Sequence, residues 1–587
     1  MTSRVILINA PAFIKHNAII LKPQLGLLYL AAVLKGHHID TRFFDFQYHA
    51  TSWKSIEKLI SETERCVVGF SCDSDNIHRV LHLSDRLLSQ FPKLTIILGG
   101  HHVTHIWEPY VTKRRLVVRG EGEYPLLLLA KHFIHSEGSL EGIPGIVYQK
   151  NRAIHTNPLS NGIYEDIDLI PFPDMSFLPE AQTYNPSIIT ARGCMYDCFF
   201  CSQGSSNNKF RSRSIENIEE ELISLKTYFH NKIPYLSFLD DTFTFSAQRV
   251  FEICDVLDRV FPDKSGFGFF CEGRVNILGE KPELIYRLKK AGLIRLQIGI
   301  ESGDQAMLDK INKKIRLNQI EKVVLTCHEA DVPSIYGGFI CGLPGQTADD
   351  MENDIDFAKH LIDLAPGRME IGLSCLSPLP GTEFRKNADK WGLKLIDEDF
   401  ATGHLIDEIA YSETSTFSKE QLENLYEHFQ SEVEKYYLEQ AALNLSPHRI
   451  KELFIVAAER RMSVLVVKKL CTFVFIDQLL HLRRREDHRF LFEIAHDTIP
   501  FSSPLSTAYF KKSYTDDYVI INQASAMEFQ LSQYEMQYLR YFKGKLSFKE
   551  IAKRVAAQEK ISQKQAYDEC MNVYMKCEDK LTAIVLV

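Results

Sequence analysis

No run of roughly 20 mostly apolar residues, the length a membrane-spanning helix needs, occurs in this 587-residue sequence. The most hydrophobic late stretch, Ser463 to Leu480, is interrupted by Lys468, Lys469 and Asp477 and is expected to be a buried helix. The apolar run in Met1 to Asn9 is too short for a secretory signal, so a cytoplasmic protein without a membrane span is expected. Excess positive charge is missing too. The net charge is -8, which gives no electrostatic reason to expect nucleic acid as a partner. Thirteen cysteines are too sparse for a disulfide framework over this length, and most are scattered as packing thiols. There is no low-complexity tract and no internal repeat, and no G-x-G-x-x-G follows the first apolar run. That last absence argues against a dinucleotide site. The length implies two to four domains.

Against this background one cluster stands out: Cys194-Met-Tyr-Asp-Cys198-Phe-Phe-Cys201. Three thiolates can hold three corners of a cubane iron–sulfur cluster and leave the fourth iron open to a ligand. A closed zinc site would want a fourth Cys or His nearby. The next cysteine is Cys254 and the nearest downstream histidine is His230. The alternatives are buried packing cysteines or a zinc knuckle with a distant ligand. Ile188-Ile189-Thr190 reads as a strand end and Ala191-Arg192-Gly193 as a turn. The cysteines then lie on a loop before a helix that starts near Ser214.

On either side of that loop strands alternate with helices, which means α/β architecture. In residues 1–150 the strands are Val5–Ile8, Thr41–Asp45, Val67–Ser71, Leu94–Leu98 and Val117–Gly120, with helices at Gly26–Lys35, about 76–90 and from Tyr124. This pattern predicts a doubly wound, Rossmann-like parallel sheet, whose ligands sit beyond the carboxyl ends of the strands. Residues 151–185 read as a connector. In 186–395 the strands Tyr235–Leu239, Phe267–Cys271, Arg295–Ile300, Ile335–Cys341 and Ile371–Leu376 each end on polar or glycine residues. Open and closed α/β barrels place their chemistry at such ends.

The cysteine spacing and its setting resemble the radical S-adenosylmethionine (SAM) superfamily. The order Pro23–Ala31 (P-x-L-G-L-x-Y-L-A), Val68–Ser71, Gly99–Thr104 and Arg119–Glu123 resembles the cobalamin-binding domain joined to many of those enzymes. The resemblance implies a [4Fe-4S] cluster on Cys194, Cys198 and Cys201, and a partial barrel over 186–395. It implies SAM contacts from Asp240, Asp241, Arg274 and Glu301, with Ile340, Gly342 and Pro344 packed near adenine. It implies cobalamin contacts from Asn9, Pro11, Leu25, Gly26, Ser71, Gly99, Gly100, His102, Thr104, Gly120, Glu121, Gly122 and Glu123. One departure is clear: Asn9-Ala10-Pro11-Ala12-Phe13 stands where many cobalamin proteins carry D-x-H-x-x-G. Cobalamin without a protein histidine on cobalt is therefore implied, unless the domain holds no cofactor.

Residues 396–505 read as a helical cap, with helices at Lys419–Glu439, Arg449–Arg461 and Val464–Arg485, or else as a purely structural bundle. Residues 506–587 read as a hairpin (Tyr518–Asn522, Ala526–Leu531), a helix capped by Ser532 over Gln533–Phe542, a second opened by the capping box Ser547–Glu550, a third capped by Ser562, and a terminal strand from Thr582. This small unit resembles the winged-helix domain that captures leader peptides. The expected activity is C-methylation of an unactivated carbon in a peptide or natural product, with an external electron donor of flavodoxin or ferredoxin type. No residue is singled out as catalytic. An oxidative cyclase with cobalamin as electron relay, and a non-enzymatic metal-binding regulator, are the other readings.

Overall fold

The computed structural model describes residues 2–10, 23–46, 53–159, 165–178, 184–205, 210–233, 235–264, 266–396, 407–444, 500–502, 509–511, 518–521, 528–531, 538, 548–581 and 584–586. Pro11, the helices expected at Arg449–Arg461, Val464–Arg485 and Gln533–Phe542, and the caps Ser532 and Ser547 lie outside them. The chain forms two compact units, Met1–Glu434 and Lys435–Val587.

The first unit opens with a seven-stranded sheet in the order β2-β1-β3-β4-β5-β6-β7. Its strands are β1 (Thr2–Asn9), β2 (Thr41–Asp45), β3 (Thr63–Ser71), β4 (Thr95–Gly99), β5 (Arg115–Val118), β6 (Ile146–Lys150) and β7 (Ala153–Thr156). The first five are parallel. Continuous β-branched runs suit strands covered on both sides. Ile6, Ile8, Val68 and Phe70 are buried on one face with α2 (Trp53–Ser61) and α3 (Ile77–Gln90). Val5, Leu7 and Val67 are buried on the other. The order 2-1-3 puts the topological switch point between β1 and β3, where doubly wound sheets bind ligands. The sheet runs past residue 150 into the segment read as a connector, because β6 and β7 add as an antiparallel hairpin. Asn151 and Arg152 turn that hairpin with positive φ, a conformation the sequence pattern did not signal.

A second sheet has six parallel strands in the order β15-β14-β13-β12-β11-β8, a partial barrel. They are β8 (Ser187–Ile188), β11 (Leu236–Phe238), β12 (Phe269–Gly273), β13 (Leu293–Glu301), β14 (Ser334–Cys341) and β15 (Met369–Cys375). Between β8 and β11 lies a two-stranded antiparallel ribbon, β9 (Ala191–Arg192) with β10 (Arg211–Ser212). The ribbon closes the base of the segment that carries the three cysteines. Ser214 caps the helix Ile215–Tyr228 by accepting from the Asn217 amide.

In the second unit, Tyr518–Ile521 pairs antiparallel with Glu528–Leu531, as the hairpin expected, and also with Tyr509–Lys511. The terminal strand Ile584–Leu586 pairs with Pro500–Ser502. Helices Phe548–Glu559 and Gln563–Leu581 pack through Ala552, Ala556 and Ala566.

Candidate active site: two cavities that share Asp241

A cavity of about 410 Å³ lies over the carboxyl ends of the first sheet. Gly26, Ser71, Gly99, Gly100, Gly120, Glu121, Gly122 and Glu123 line it, and the barrel side contributes Ile189, Arg192, Gly193 and Asp241. Glycine is required where the backbones meet. At Gly100, with φ 112°, a Cβ would stand 2.7 Å from the Cys72 carbonyl oxygen. A Cβ on Gly26 would meet nothing within 4 Å, so this glycine opens space for a ligand.

The other side chains named for this site are occupied by the fold. Asn9 donates to Asp45 at 2.9 Å. Leu25 is buried in the first turn of α1 (Leu25–Gly36). His102 is 1% exposed, and its two ring nitrogens are 2.9 Å from the Ser74 hydroxyl and the Tyr110 hydroxyl. Burial pushes its pKa down to about 4, with the cationic Arg385 adding to the effect. A neutral, doubly bonded imidazole anchors the loop. Thr104 donates to the Gly100 carbonyl at 2.8 Å and accepts from the Gly120 amide at 3.0 Å, joining two glycine loops of the cavity. Glu123 pairs with Arg192 at 2.8 Å, and Glu121 pairs with Arg211.

The second cavity, about 520 Å³, fills the barrel. In-register, inward-facing residues explain it layer by layer. Beneath it lies a buried ion pair, Arg295 with Glu370 at 3.0 Å, joined by Ser334. Above it Gln297 and Tyr336 are aligned, and Gln297 donates to Glu272 at 3.2 Å. In the next layer Gly299, Gly338 and Gly372 are aligned on three adjacent strands, and their missing side chains leave open space at Gly338 and room for Glu301 and Lys313 beside Gly299. The Tyr336 hydroxyl occupies the space beside Gly372, where a Cβ would be 2.0 Å away.

At the top stand Cys194, Cys198, Cys201, Asp241, Arg274, Glu301 and Ile340. Arg274 is 8% exposed, and its guanidinium lies 3.8 Å from the Tyr196 ring centroid. It donates to the Cys198 sulfur at 3.6 Å and to the Lys313 carbonyl, while its buried Nε has no partner. Glu301 follows a bulge in β13 with φ 68°, a left-handed conformation that costs a non-glycine residue energy and is often found at functional sites. Its carboxylate meets the Lys313 ammonium at 2.6 Å. Burial raises the Asp241 pKa against a hydrogen bond from the Gly193 amide. Asp241 lines both cavities.

Asp240, Gly342 and Pro344 do not line either cavity. Asp240 is 2% exposed and accepts from the Thr190 amide at 2.6 Å and from its hydroxyl, fixing the turn into the cysteine loop. Burial lifts its pKa to about 6. Gly342 turns the chain at φ 79°, and its amide donates to Gln346 at 2.8 Å. Gln346 in turn donates to Asp354, which also accepts from Ser302. This network ties the G-L-P-G loop, with Pro344, to the E-S-G loop. Sequence reasoning missed Lys313, Tyr336 and Gln297 on the barrel side and gave Arg192 only a place in a turn. Lys313 lies twelve positions after Glu301, beyond any local motif.

A model of the radical SAM superfamily matches residues 188–358, and a model of the B12 binding domain matches residues 21–130. An uncharacterised methyltransferase of Pyrococcus horikoshii is 30% identical over 374 residues, which cover 61% of this chain and 77% of the relative. The chain belongs to the cobalamin-dependent radical SAM enzymes. Hopanoid C-3 methylase of Methylococcus capsulatus is 26% identical over 53% of this chain and 59% of its own length. Solved structures share the fold. The radical SAM enzyme OxsB, with aqua-cobalamin and SAM bound, matches at TM-score 0.57 and 17% identity over 82% of this chain and 75% of its own. The methyltransferase TsrM from Kitasatospora setae, with cobalamin and a [4Fe-4S] cluster bound, matches at 0.56 and 15% over 76% and 90%. The cofactors are cobalamin, SAM and a [4Fe-4S] cluster.

The residues present fit these groups. Three thiols face one cavity, and a buried arginine both donates to one sulfur and keeps a free Nε. The glycine-lined crevice leaves room that side chains would fill. Among the described residues no helix is long and apolar enough to cross a membrane.

Proposed function

We propose that this enzyme transfers a methyl group to an unactivated carbon of a peptide or natural-product substrate, with cobalamin in the crevice of the first sheet and the cluster, SAM and substrate in the barrel. The observation that carries this reading is Asp241, which stands on the walls of both cavities. When bound, the cluster with SAM supplies a carbon radical able to take hydrogen from a C–H bond, and cobalamin supplies a methyl group. The chain's own residues position and shield. Cys194, Cys198 and Cys201 would hold the cluster, and the hydrogen bond from Arg274 to the Cys198 sulfur would raise its potential. The buried Arg274 Nε, which has no partner, would suit the SAM carboxylate, and Glu301, held by Lys313, would suit a cationic or hydroxyl group. Phe200, Phe339, Leu376 and Leu379 keep water from the chamber.

A second reading is oxidative cyclisation. An anaerobic magnesium-protoporphyrin IX monomethyl ester cyclase of Cereibacter sphaeroides is 24% identical over 345 residues, 56% of this chain and 55% of its own length. Product mass separates the two, since methylation adds one methyl and releases S-adenosylhomocysteine. A peptide substrate gains support from the second unit. Its strand Tyr509–Lys511 pairs on one side with Tyr518–Ile521, and strand addition on the other side is a known mode of peptide capture. An external one-electron donor is part of the same proposal. Under reducing, oxygen-free conditions Cys198→Ala is expected to abolish SAM cleavage and keep cobalamin binding. Cleavage that persists in this variant would overturn the ligand assignment.

A further inference from the structure

The ribbon at the base of the cysteine segment is clasped to the first domain. Arg192 and Arg211 face each other in register on β9 and β10, and both reach across to the loop Gly120–Glu123. Arg192 pairs with Glu123 at 2.8 Å and with Glu121 at 3.5 Å, and Arg211 reaches Glu121 with both terminal nitrogens. The clasp is largely out of water: Glu123 and Arg192 side chains are 6% and 17% exposed. Tyr29 lies beneath the Arg192 guanidinium, 5.0 Å from ring centre to carbon. Two residues after Arg192 comes Cys194. On the other side, the clasped loop is the wall of the first cavity, fixed to Gly100 through Thr104.

We propose that Arg192 is a positioning residue that couples the two cofactor sites, so that assembly of the cluster on the cysteine segment strengthens cobalamin binding in the first cavity. The physical reason is shared ordering. The cluster would fix the cysteine segment, residues 193 to 205, above the ribbon. The ribbon fixes the Glu121 and Glu123 carboxylates, and these fix the cavity wall. Whichever cofactor arrives second meets a loop already ordered. By linkage the effect is reciprocal. A clasp that only glued the domains together would be equally formed with and without the cluster and would give no such dependence.

The inference rests on the placing of cobalamin in the first cavity. Its test is the equilibrium dissociation constant of aqua-cobalamin, measured without SAM under anaerobic conditions for cluster-free and cluster-reconstituted full-length protein. The wild type should bind at least about fivefold more tightly with the cluster. In Glu123→Gln, and independently in Arg192→Lys, the ratio should fall to within about twofold of unity, whatever the absolute affinities. A merely structural role would weaken both forms alike and leave the ratio unmoved. A wild-type ratio near unity, or a variant that keeps the fivefold ratio, overturns the proposal. Gly26→Phe separates this from failure of the site assignment, because it fills the first cavity from a position with open space. Undiminished cobalamin binding in Gly26→Phe would refute the cavity assignment itself. Lost binding there together with a cluster-independent wild type would refute the coupling alone.

Discussion

The two cavities are built by different means. The first is built from backbone: seven glycines line it, and the polar side chains around it are spent on holding loops in place. His102 is bonded at both ring nitrogens, Thr104 staples two loops, and Glu121 and Glu123 pair with arginines of the barrel side. The second is built from side chains. A thiol triad, Arg274, Glu301 and Lys313 line a chamber that opens over Gly338. A bulky ligand with many weak contacts suits the first design. A small charged ligand that must be gripped in one orientation suits the second.

The largest expected effect attacks the hollow of the barrel. A Cβ on Gly338 would meet only a Tyr336 ring carbon, at 3.9 Å. Gly338→Leu should therefore fold, fill the chamber and reduce SAM cleavage by roughly 100-fold or more, as displacement of a reacting group by an ångström does. Cobalamin binding should stay within about twofold. Loss of both together would erase the distinction between the cavities.

A smaller effect tests whether His102 serves the fold or the cofactor. Its folded pKa of about 4 lies below the unfolded value near 6.5. The neutral form is the one the fold accepts, so its contribution is present above pH 6.5 and is lost as the pH falls toward 4. The full loss is roughly 3 kcal/mol. Urea midpoints of cofactor-free protein should fall over that window, and His102→Asn should flatten the slope. A ligand role would instead show as weaker cobalamin binding at neutral pH with the slope unchanged. The smallest effect is at the staple. Thr104→Val leaves the Gly120 amide without its acceptor, costs about 1 kcal/mol, and should raise the cobalamin dissociation constant about fivefold. Unchanged affinity would mean that the two glycine loops keep their places without it.

The same contrast governs what could be read from the sequence. The strands and the cysteine triad were legible because apolar runs and short spacings are local signals. Val67–Ser71 and Ile335–Cys341 lie inside strands, and Ser214 caps its helix. In the barrel, polar residues at strand ends such as Asp241, Arg274 and Glu301 reach the cavity because parallel strands aim their carboxyl ends there. In the first domain the glycines of the motifs line the cavity, yet the neighbouring polar residues Asn9, His102 and Thr104 do not. Their partners Asp45, Ser74, Tyr110 and Gly120 are supplied by other elements. No spacing rule announces that. Lys313 and Arg192 were hidden for the same reason, since each gains its meaning from a carboxylate brought close only by the fold.

The most direct test of two cofactor sites in one chain is spectroscopy of anaerobically reconstituted wild-type protein, with metal and corrinoid counted, before and after addition of SAM. We expect about four irons and one cobalamin per chain, and a cluster signal that changes when SAM takes the open iron. A colourless protein, a zinc centre, or a cluster whose signal is indifferent to SAM would contradict it.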